Sequence, residues 1–188
     1  MKVSLIVPVY NGEDYVETAL KSIPIRTDIE VIIINDGSTD RTQDICEFWA
    51  NNTFLKAKVI NLSENKGLGN AKNVGYDNAT GEYINQLDSD DFLYKEYEQV
   101  INELDGTDIV YMDLKKPNNE ILHFNEETSK LWGSGCARFI RREFLGDTRC
   151  PQTRFAEDYE LAVQLNEKKP TEKFTGIVGY HYNYPRER

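Results

Sequence analysis

Short runs of β-branched residues alternate with helix-patterned segments through the first half of this 188-residue chain. Residues 3–9 read as a buried strand, and residues 12–23 carry apolar side chains at the three- and four-residue steps of an amphipathic helix. Residues 30–35 centre on Val31-Ile32-Ile33-Ile34, whose unbroken apolar character predicts burial on both faces and a central place in the sheet. This alternation is typical of βαβ units, and it predicts an α/β protein with a parallel sheet.

The alternation continues to residue 91 and then weakens. Before residue 91 it predicts a second helix that ends near Ala50, a strand over 58–62, a helix over about 70–79 and a strand over 83–87. After it, we expect a helix over about 94–105, a strand over 109–113, a turn at 117–120 with a return strand over 121–124, helices over 138–145 and 157–167, and a strand over 174–182. A chain of this length fits one domain.

Composition and charge exclude several classes of protein. The formal net charge is −10, so net charge gives no attraction to nucleic acid or to an anionic membrane surface. No apolar stretch is long enough to span a membrane, and residues 1–8 do not resemble a signal peptide, so we expect a cytoplasmic protein. The three cysteines form no CxxC pair and are expected to be free thiols.

Three carboxylates follow the fourth predicted strand, in Asp88-Ser89-Asp90-Asp91. Ligands of open α/β sheets collect beyond the carboxyl ends of the strands, so these acids occupy a functional position. Their mutual repulsion requires a counter-charge, which a hard divalent cation supplies while it keeps positions open for water and a substrate phosphate. In the alternative interpretation, the acids cap a helix that begins near Phe92.

Four segments share their order and spacing with a known enzyme family. They are Pro8-Val9-Tyr10-Asn11, Ile34-Asn35-Asp36-Gly37-Ser38-Thr39-Asp40, the stretch from Asn65-Lys66-Gly67 to Asn73-Val74-Gly75, and Leu87-Asp88-Ser89-Asp90-Asp91. Together they resemble family 2 glycosyltransferases. The resemblance implies the GT-A fold, a Rossmann-like and mostly parallel central sheet flanked by helices. It also implies an inverting reaction, a nucleotide-sugar donor that is most often a UDP-sugar, and Mn²⁺ or Mg²⁺.

The resemblance predicts a single GT-A domain over residues 1–188, with a nucleotide-sugar-binding half over 1–91 and an acceptor-side half over 92–188. It places Pro8, Tyr10 and Asn11 in the loop that receives the base, where an aromatic ring or a turn of backbone can pack against a pyrimidine. Asp36 would accept a hydrogen bond from the imide N–H of a uracil-type base. The alternatives are a partly buried core aromatic for Tyr10 and a helix cap for Asp36.

Position 72 departs from the family, which usually has arginine there. Lys72 keeps a positive charge for a base oxygen or a phosphate but lacks the planar guanidinium group. The alternative is a solvated lysine on the surface of the helix. We expect Gly67, Gly69 and Gly75 to serve backbone shape and the close approach of helix to strand.

The segment from Arg154 to Leu161 opens a helix with two adjacent acids. It resembles the Glu-Asp pair before the acceptor-side helix of the family, where the aspartate is the general base that deprotonates the acceptor hydroxyl. This resemblance assigns Asp158 to that role, with Glu157 as the second candidate. The alternative is a helix N-terminal acid favoured by the helix dipole. Trp132 also lies in a segment that resembles the acceptor side, where it would stack on a sugar or pack in the core.

Asp88 and Asp90 are the expected metal ligands, with Asp88 shared between the metal and the nucleotide. In related enzymes a C-terminal histidine or arginine reaches the metal or the diphosphate, and this resemblance makes His181 a further candidate ligand. His123 falls in a predicted hairpin and is not expected to bind metal.

Two other functions fit parts of the pattern. A catalytically degenerate protein of the same fold would bind a nucleotide sugar or a glycan, but the intact acids at 36, 88, 90 and 158 argue against it. A nucleotidyltransferase would carry a basic, glycine-rich loop after the first strand, whereas residues 10–14 here are acidic with one glycine. The acceptor would be a glycan, a lipid-linked molecule or a protein. The acceptor half is short for the family, which leaves room for a second copy or a partner subunit.

Overall fold

The computed structural model describes residues 1–131, 135–151 and 157–183. Its strands are β1 Val3–Val9, β2 Ile29–Asn35, β3 Lys56–Asn61, β4 Tyr83–Gln86, β5 Phe92–Leu93, β6 Ile109–Lys115, β7 Ile121–Leu122, β8 Arg138–Arg141 and β9 Glu172–His181. Its α-helices are α1 Val16–Lys21, α2 Thr42–Asn52, α3 Leu68–Asp77, α4 Tyr97–Asn102, α5 Thr128–Leu131, α6 Arg142–Leu145 and α7 Glu157–Glu167, with a 3₁₀ turn at Gly135–Ala137. Within these residues, no helix combines the length and the apolar character needed to cross a bilayer. The predicted stacking residue Trp132 lies outside the described residues.

The strands join in one sheet with the order β3-β2-β1-β4-β8-β6-β9-β5, and β7 pairs with β6. The four strands from β3 to β4 are parallel. Strand β8 is antiparallel to both β4 and β6, β9 is parallel to β6, and β5 is antiparallel to β9. The parallel part therefore comes from residues before 87, and the strands after residue 91 build the mixed part.

A topological switch point lies between β1 and β4. The chain runs outward from β1 to β2 and β3, then crosses back to place β4 on the other side of β1. Val3 pairs with both Ile29 and Tyr83, so the three strands run in register toward the same edge of the sheet. Right-handed crossovers put α1 and α2 on one face and α3 on the other, which opens a crevice beyond the carboxyl ends of β1 and β4.

The core forms around the parallel strands. Every residue of β1 and β2 is buried, as the unbroken apolar run at 31–34 predicts. Helix α3 lies close to β1 because Gly75 has no side chain: a Cβ built there would clash with the side chain of Ile6. The predicted close approach of helix to strand is thus found at Gly75.

Most predicted elements are present with bounds shifted by a few residues, but the helix predicted over 138–145 is wrong in its first half. Arg138–Arg141 forms β8, and only Arg142–Leu145 is helical. Ile140 pairs with Ile84 of β4 and with Ile109 of β6. Hydrogen bonding to strands on both sides outweighs the helical pattern of this segment, since strand formation depends strongly on tertiary context.

Candidate active site

A cleft of about 410 Å³ opens at the carboxyl edge of the parallel strands. Its walls come from the ends of β1, β2 and β4, the start of α3 and the segment after β9. The lining residues are Pro8, Val9, Tyr10, Tyr15, Asp36, Asn65, Gly67, Leu68, Ala71, Asp88, Ser89, Asp90, Asp91, Tyr182 and Asn183. Five predicted site residues, Pro8, Tyr10, Asp36, Asp88 and Asp90, therefore share one cleft of a size suited to a small-molecule ligand.

The loop after β1 presents an aromatic ring to this cleft. Tyr10 is 45% exposed, so the alternative of a partly buried core aromatic is wrong. Asn11 adopts a left-handed backbone with φ 47°, which asparagine tolerates better than most residues. Its amide donates to Ser38 Oγ at 2.9 Å, and its Oδ1 accepts from the Thr39 amide at 2.9 Å. Asn11 thus joins the loops after β1 and β2 and is not among the lining residues.

Asp36 joins the end of β2 to the turn before α3. Its side chain is buried, with Oδ1 accepting from the Lys66 amide at 3.0 Å and Oδ2 from the Gly67 amide at 2.9 Å. The first amide of α2, that of Thr42, is instead accepted by Asp40 Oδ1 at 3.0 Å. Asp36 therefore does not cap α2, and each of its oxygens keeps a lone pair for a further donor.

The acids after β4 precede a strand, not a helix. The next element is β5, and α4 begins only at Tyr97, so the alternative in which the acids cap a helix near Phe92 is wrong. Asp88 and Asp90 are half-buried and line the cleft. The local pattern at 88–91 thus places carboxylates where a ligand can reach them.

Asp91 is the buried member of this turn, with 3% of its surface exposed. Its Oδ1 accepts from the Asn183 amide at 2.8 Å, and its Oδ2 accepts from the Tyr180 hydroxyl at 2.8 Å. The same hydroxyl accepts from the Asp88 amide at 3.0 Å. One buried tyrosine of β9 therefore holds both ends of the acidic turn.

Burial raises the pKa values of two of these acids. It raises the pKa of Asp88 to about 6, because the desolvation and the nearby charges of Asp158 and Asp90 outweigh the opposing charge of Lys72. Burial, together with the charge of Asp88, raises the pKa of Asp91 to about 7. The ionised forms of these two acids are thus disfavoured by burial and by their neighbours, and a bound cation would stabilise them.

The two predicted bases, Asp158 and Glu157, both lie next to the side chain of Lys72. Its Nζ lies 2.6 Å from Asp158 Oδ1 and 3.1 Å from Glu157 Oε1, and its side chain is fully buried. The alternative of a solvated lysine is therefore wrong. Burial lowers the pKa of Lys72, but the charges of Asp158, Asp88 and Glu157 outweigh this and raise it, so the ammonium stays charged.

Lys72, Glu157 and Asp158 are not among the lining residues, although Ala71 is. A Cβ built on Gly135 would lie 2.9 Å from Asp158 Oδ1 and would clash with Gln86 Oε1 at the end of β4. Asp158 therefore lies beside the end of the strand that leads to Asp88.

The two histidines lie away from the lining of the cleft. His181 ends β9 and stacks on Phe92 with 4.1 Å between ring centroids, and its Nδ1 lies 2.8 Å from the Tyr94 hydroxyl. Burial lowers the pKa of His181 and favours the neutral ring. Its role as a metal ligand stays a prediction. His123 Nδ1 lies 2.6 Å from Asp113 Oδ2 beside the predicted hairpin.

Residues to which the sequence analysis gave no individual role complete the site. Asn65 and Leu68 line the cleft from the turn before α3 and its first residue. Asn183 contributes its backbone amide to Asp91, and a backbone donor leaves no signal in the residue type. Tyr180 lies in an aromatic segment of the sequence. Its hydroxyl reaches the acidic turn because β9 pairs with β5, the strand that follows this turn, and the sequence alone does not predict that pairing.

Comparison with known proteins decides the family. The family model described as glycosyl transferase family 2 matches residues 4–159. This chain belongs to glycosyl transferase family 2. The resemblance carried by the four motifs is confirmed, and the family is one of glycosyltransferases and not of nucleotidyltransferases.

Relatives within the family are longer proteins. The poly(ribitol-phosphate) beta-N-acetylglucosaminyltransferase TarS of Staphylococcus aureus (strain Mu50) is 41% identical over 101 residues, which cover 51% of this chain and 17% of TarS. The first curated relatives are matched over 14% to 28% of their length. The sequence likeness is therefore to one part of each of these proteins.

Solved structures of the family share the fold. The crystal structure of S. aureus TarS 1–349 in complex with UDP-GlcNAc superimposes with a TM-score of 0.83 at 26% identity, covering 100% of this chain and 60% of that chain. The mannosyltransferase PcManGT of Pyrobaculum calidifontis, in complex with GDP-Man and Mn²⁺, has a TM-score of 0.79 at 23% identity, covering 99% and 58%. The predicted GT-A fold is confirmed.

Proposed function

We propose that this family 2 domain is an inverting, metal-dependent glycosyltransferase that uses a UDP-sugar donor. The observation that carries the proposal is the convergence of Tyr10, Asp36, Asp88 and Asp90 in one cleft at the switch point of the sheet. These residues come from three motifs that follow three different strands, and their shared position has a simple explanation if one ligand contacts them all.

The nucleotide end of the donor fits the residues near β1 and β2. The exposed ring of Tyr10 can pack on a pyrimidine, and Asp36 can accept the imide N–H of uracil while its present bonds hold it in place. A carboxylate is the right complement to that donor. TarS, which shares this fold, is solved with UDP-GlcNAc, and this supports a UDP-sugar as the donor class.

The acidic turn fits a divalent cation of the Mn²⁺ or Mg²⁺ type. Within the described residues, no three His, Cys, Asp or Glu side chains form a ready-made metal cage. Mg²⁺ in particular is commonly held by one or two carboxylates with substrate phosphates and water, which suits the two carboxylates of Asp88 and Asp90 that line the cleft. In our proposal Asp90 binds the metal directly, and Asp88 is shared between a metal-bound water and the ribose. The bound ion would neutralise charge on the leaving nucleoside diphosphate.

Asp158 is the proposed general base. Within the described residues, only its Oδ1 is engaged, by Lys72, and a quarter of the side chain remains exposed. Oδ2 can then accept the proton of an acceptor hydroxyl as that oxygen attacks the anomeric carbon from the face opposite the nucleoside diphosphate. Glu157 is the second candidate, with 12% of its side chain exposed. In this scheme the acceptor hydroxyl loses its proton to the enzyme as the bond to the diphosphate breaks.

A donor screen tests the proposal. Release of nucleoside diphosphate is measured across UDP-, GDP- and dTDP-sugars with Mn²⁺, since slow donor hydrolysis is detectable without a known acceptor. We expect release from a UDP-sugar, its loss with chelator, and its loss in Asp90→Ala. Asp44→Ala is the matched control, because Asp44 is an exposed acid of α2 that does not line the cleft. Tight UDP binding without release from any donor would favour the degenerate binding protein.

A further inference from the structure

Helix α3 buries a positive charge beside the cleft. Lys72 is fully buried, although lysine is among the residue types least often found without contact to water. Burying a charge is costly unless it is paired and hydrogen-bonded. A lysine with no exposed surface therefore needs a specific set of partners.

Those partners are the two acids at the start of α7. Asp158 Oδ1 accepts from Nζ at 2.6 Å and Glu157 Oε1 at 3.1 Å. The ammonium also interacts electrostatically with Asp88 at the end of β4. The ammonium thus contacts two carboxylates at the start of α7 and also interacts with the charge of a third carboxylate in the acidic turn.

Two neighbours of Lys72 in α3, Gly69 and Asn73, also contact residues near α7. The Asn73 side chain donates to the Cys150 carbonyl at 2.8 Å and accepts from the Cys150 amide at 2.8 Å. A Cβ on Gly69 would lie 2.8 Å from the Pro151 carbonyl oxygen and 3.5 Å from Glu157 Cβ. Helix α3 therefore holds the backbone at Cys150 and packs closely against Pro151 and Glu157, and Lys72 adds a charge contact at the start of α7.

We propose that Lys72 is a positioning residue that holds the carboxylate of Asp158 in place and does not contact the nucleotide. The inference rests on the proposed function, because it gives Asp158 the role of base. Lys72 takes the place where the family usually has arginine, yet its Nζ is directed to the acceptor-side acids and it does not line the cleft. A compact ammonium on a flexible stem can satisfy two carboxylates in a space with no exposed surface.

The position of Asp158 matters because a base must lie within hydrogen-bond reach of the proton that it removes. The Lys72 contact engages Oδ1 and orients Oδ2, and Gly135 bounds the same carboxylate from the side of β4. Without the ammonium, Asp158 and Glu157 would repel each other, and Asp158 would lose the contact that holds Oδ1.

The test compares Lys72→Met, Lys72→Arg and Lys58→Met in the intact protein. Methionine keeps an unbranched side chain of similar length without the charge. Lys58 is the control, because it is an exposed lysine of β3 whose Nζ donates to the Asn78 carbonyl. UDP affinity is measured by calorimetry and kcat by UDP release from the UDP-sugar found in the donor screen.

For Lys72→Met we expect kcat to fall by about 100-fold, the scale of a mispositioned catalytic group. UDP affinity should stay within about threefold of the parent, since a nucleotide contact is not being removed. Lys72→Arg, which keeps the charge, should retain at least about tenfold more kcat than Lys72→Met. The Lys58 variant should match the parent in both measurements.

Three results would overturn the inference. An unchanged kcat in Lys72→Met would show that Asp158 needs no cation, and a large loss of UDP affinity with an unchanged kcat would mean that Lys72 contacts the nucleotide. Equal kcat for the Met and Arg variants would show that charge is not what matters. If the parent releases no nucleoside diphosphate at all, the proposed function fails and this inference fails with it. If the parent releases it and one of the three results is found, only this inference fails, so the two failures are distinguishable.

A second variant covers the case in which Lys72→Met does not fold. Lys72→Met combined with Glu157→Gln removes one of the two opposing carboxylates while it keeps Asp158. The double variant should fold, because a repulsion has been removed, and should release UDP more slowly than the parent, because Asp158 still lacks its cation. A folded double variant that turns over at the parent rate would contradict a positioning role for the ammonium, and partial turnover below the parent rate would support it.

Discussion

Tyr180→Phe should loosen the acidic turn without emptying the core. Phenylalanine keeps the buried ring and removes only the hydroxyl, which accepts from the Asp88 amide at 3.0 Å and donates to Asp91 Oδ2 at 2.8 Å. The bond to the amide is worth about 1 kcal/mol, and a bond to an ionised carboxylate about 1.5–3 kcal/mol. At a pH where Asp91 is ionised, the free energy of unfolding should therefore fall by about 2–4 kcal/mol.

The dependence of this loss on pH distinguishes the two bonds. Burial raises the pKa of Asp91 to about 7, so its carboxyl is mostly ionised at pH 8 and protonated at pH 5. At pH 5 the hydroxyl bonds a neutral partner, and the loss should shrink to about 1–2 kcal/mol. Guanidinium unfolding of the metal-free protein at both pH values measures the difference.

Tyr97→Phe is the matched control for Tyr180→Phe. Tyr97 is also fully buried, and its hydroxyl donates to the neutral amide oxygen of Asn85 at 2.8 Å. Its loss should be the same at pH 5 and pH 8. If Tyr180→Phe behaves in the same way, or costs less than about 0.5 kcal/mol at both pH values, the hydroxyl does not support an ionisable turn and the reasoning is refuted.

Three further predictions concern the candidate site and the acids around it. Asp36→Ala should weaken UDP binding by about 1–3 kcal/mol in calorimetry, the scale of a lost charged hydrogen-bond partner, and an unchanged affinity would remove Asp36 from the base contact. Asp158→Asn should lower kcat by about 10²- to 10⁴-fold while UDP binding survives, whereas a mere helix acid would leave turnover intact, because asparagine is also tolerated near helix starts. Burial raises the folded-state pKa values of Asp88 to about 6 and of Asp91 to about 7. The free energy of unfolding of the metal-free protein should therefore decrease as the pH rises from about 4 to about 7. Near pH 7, Mn²⁺ should restore this free energy by binding the ionised acids. The lowered pKa of His181 acts in the opposite direction, and unfolding curves that show no net decrease with pH would contradict the assignment.

The sequence predicts the parallel half well because its signals are local. Unbroken apolar runs mark the buried strands, and the residues after them must meet at one edge once those strands pair in parallel. The roles of Tyr10 and Asp36 came from the resemblance to family 2, and the parallel pairing of the strands is why the structure brings them and Asp88 to one cleft.

The mixed part of the sheet cannot be predicted in the same way, because its strands and contacts depend on residues that are far apart in the chain. Residues 138–141 form a strand only because β4 and β6 lie on either side of them. The contact between Lys72 and Asp158 spans 86 positions, and that between Tyr180 and Asp91 spans 89. No local pattern distinguishes a lysine that bridges two acids from one that faces water, so only the tertiary structure could choose between those alternatives.

One helix links the two sides of the candidate site. Leu68 and Ala71 of α3 line the cleft, and the two residues that follow Ala71, Lys72 and Asn73, hold the acids of α7 and the backbone at Cys150. Residues one to four positions apart in a helix move together, because the intervening backbone is hydrogen-bonded. Any displacement of the start of α3 by a ligand in the cleft would therefore also move the carboxylate of Asp158. In the proposed scheme, the geometry of the donor side and that of the base are thus set by the same short stretch of backbone, and a substitution at Lys72 is expected to act through Asp158, because Lys72 itself does not line the cleft.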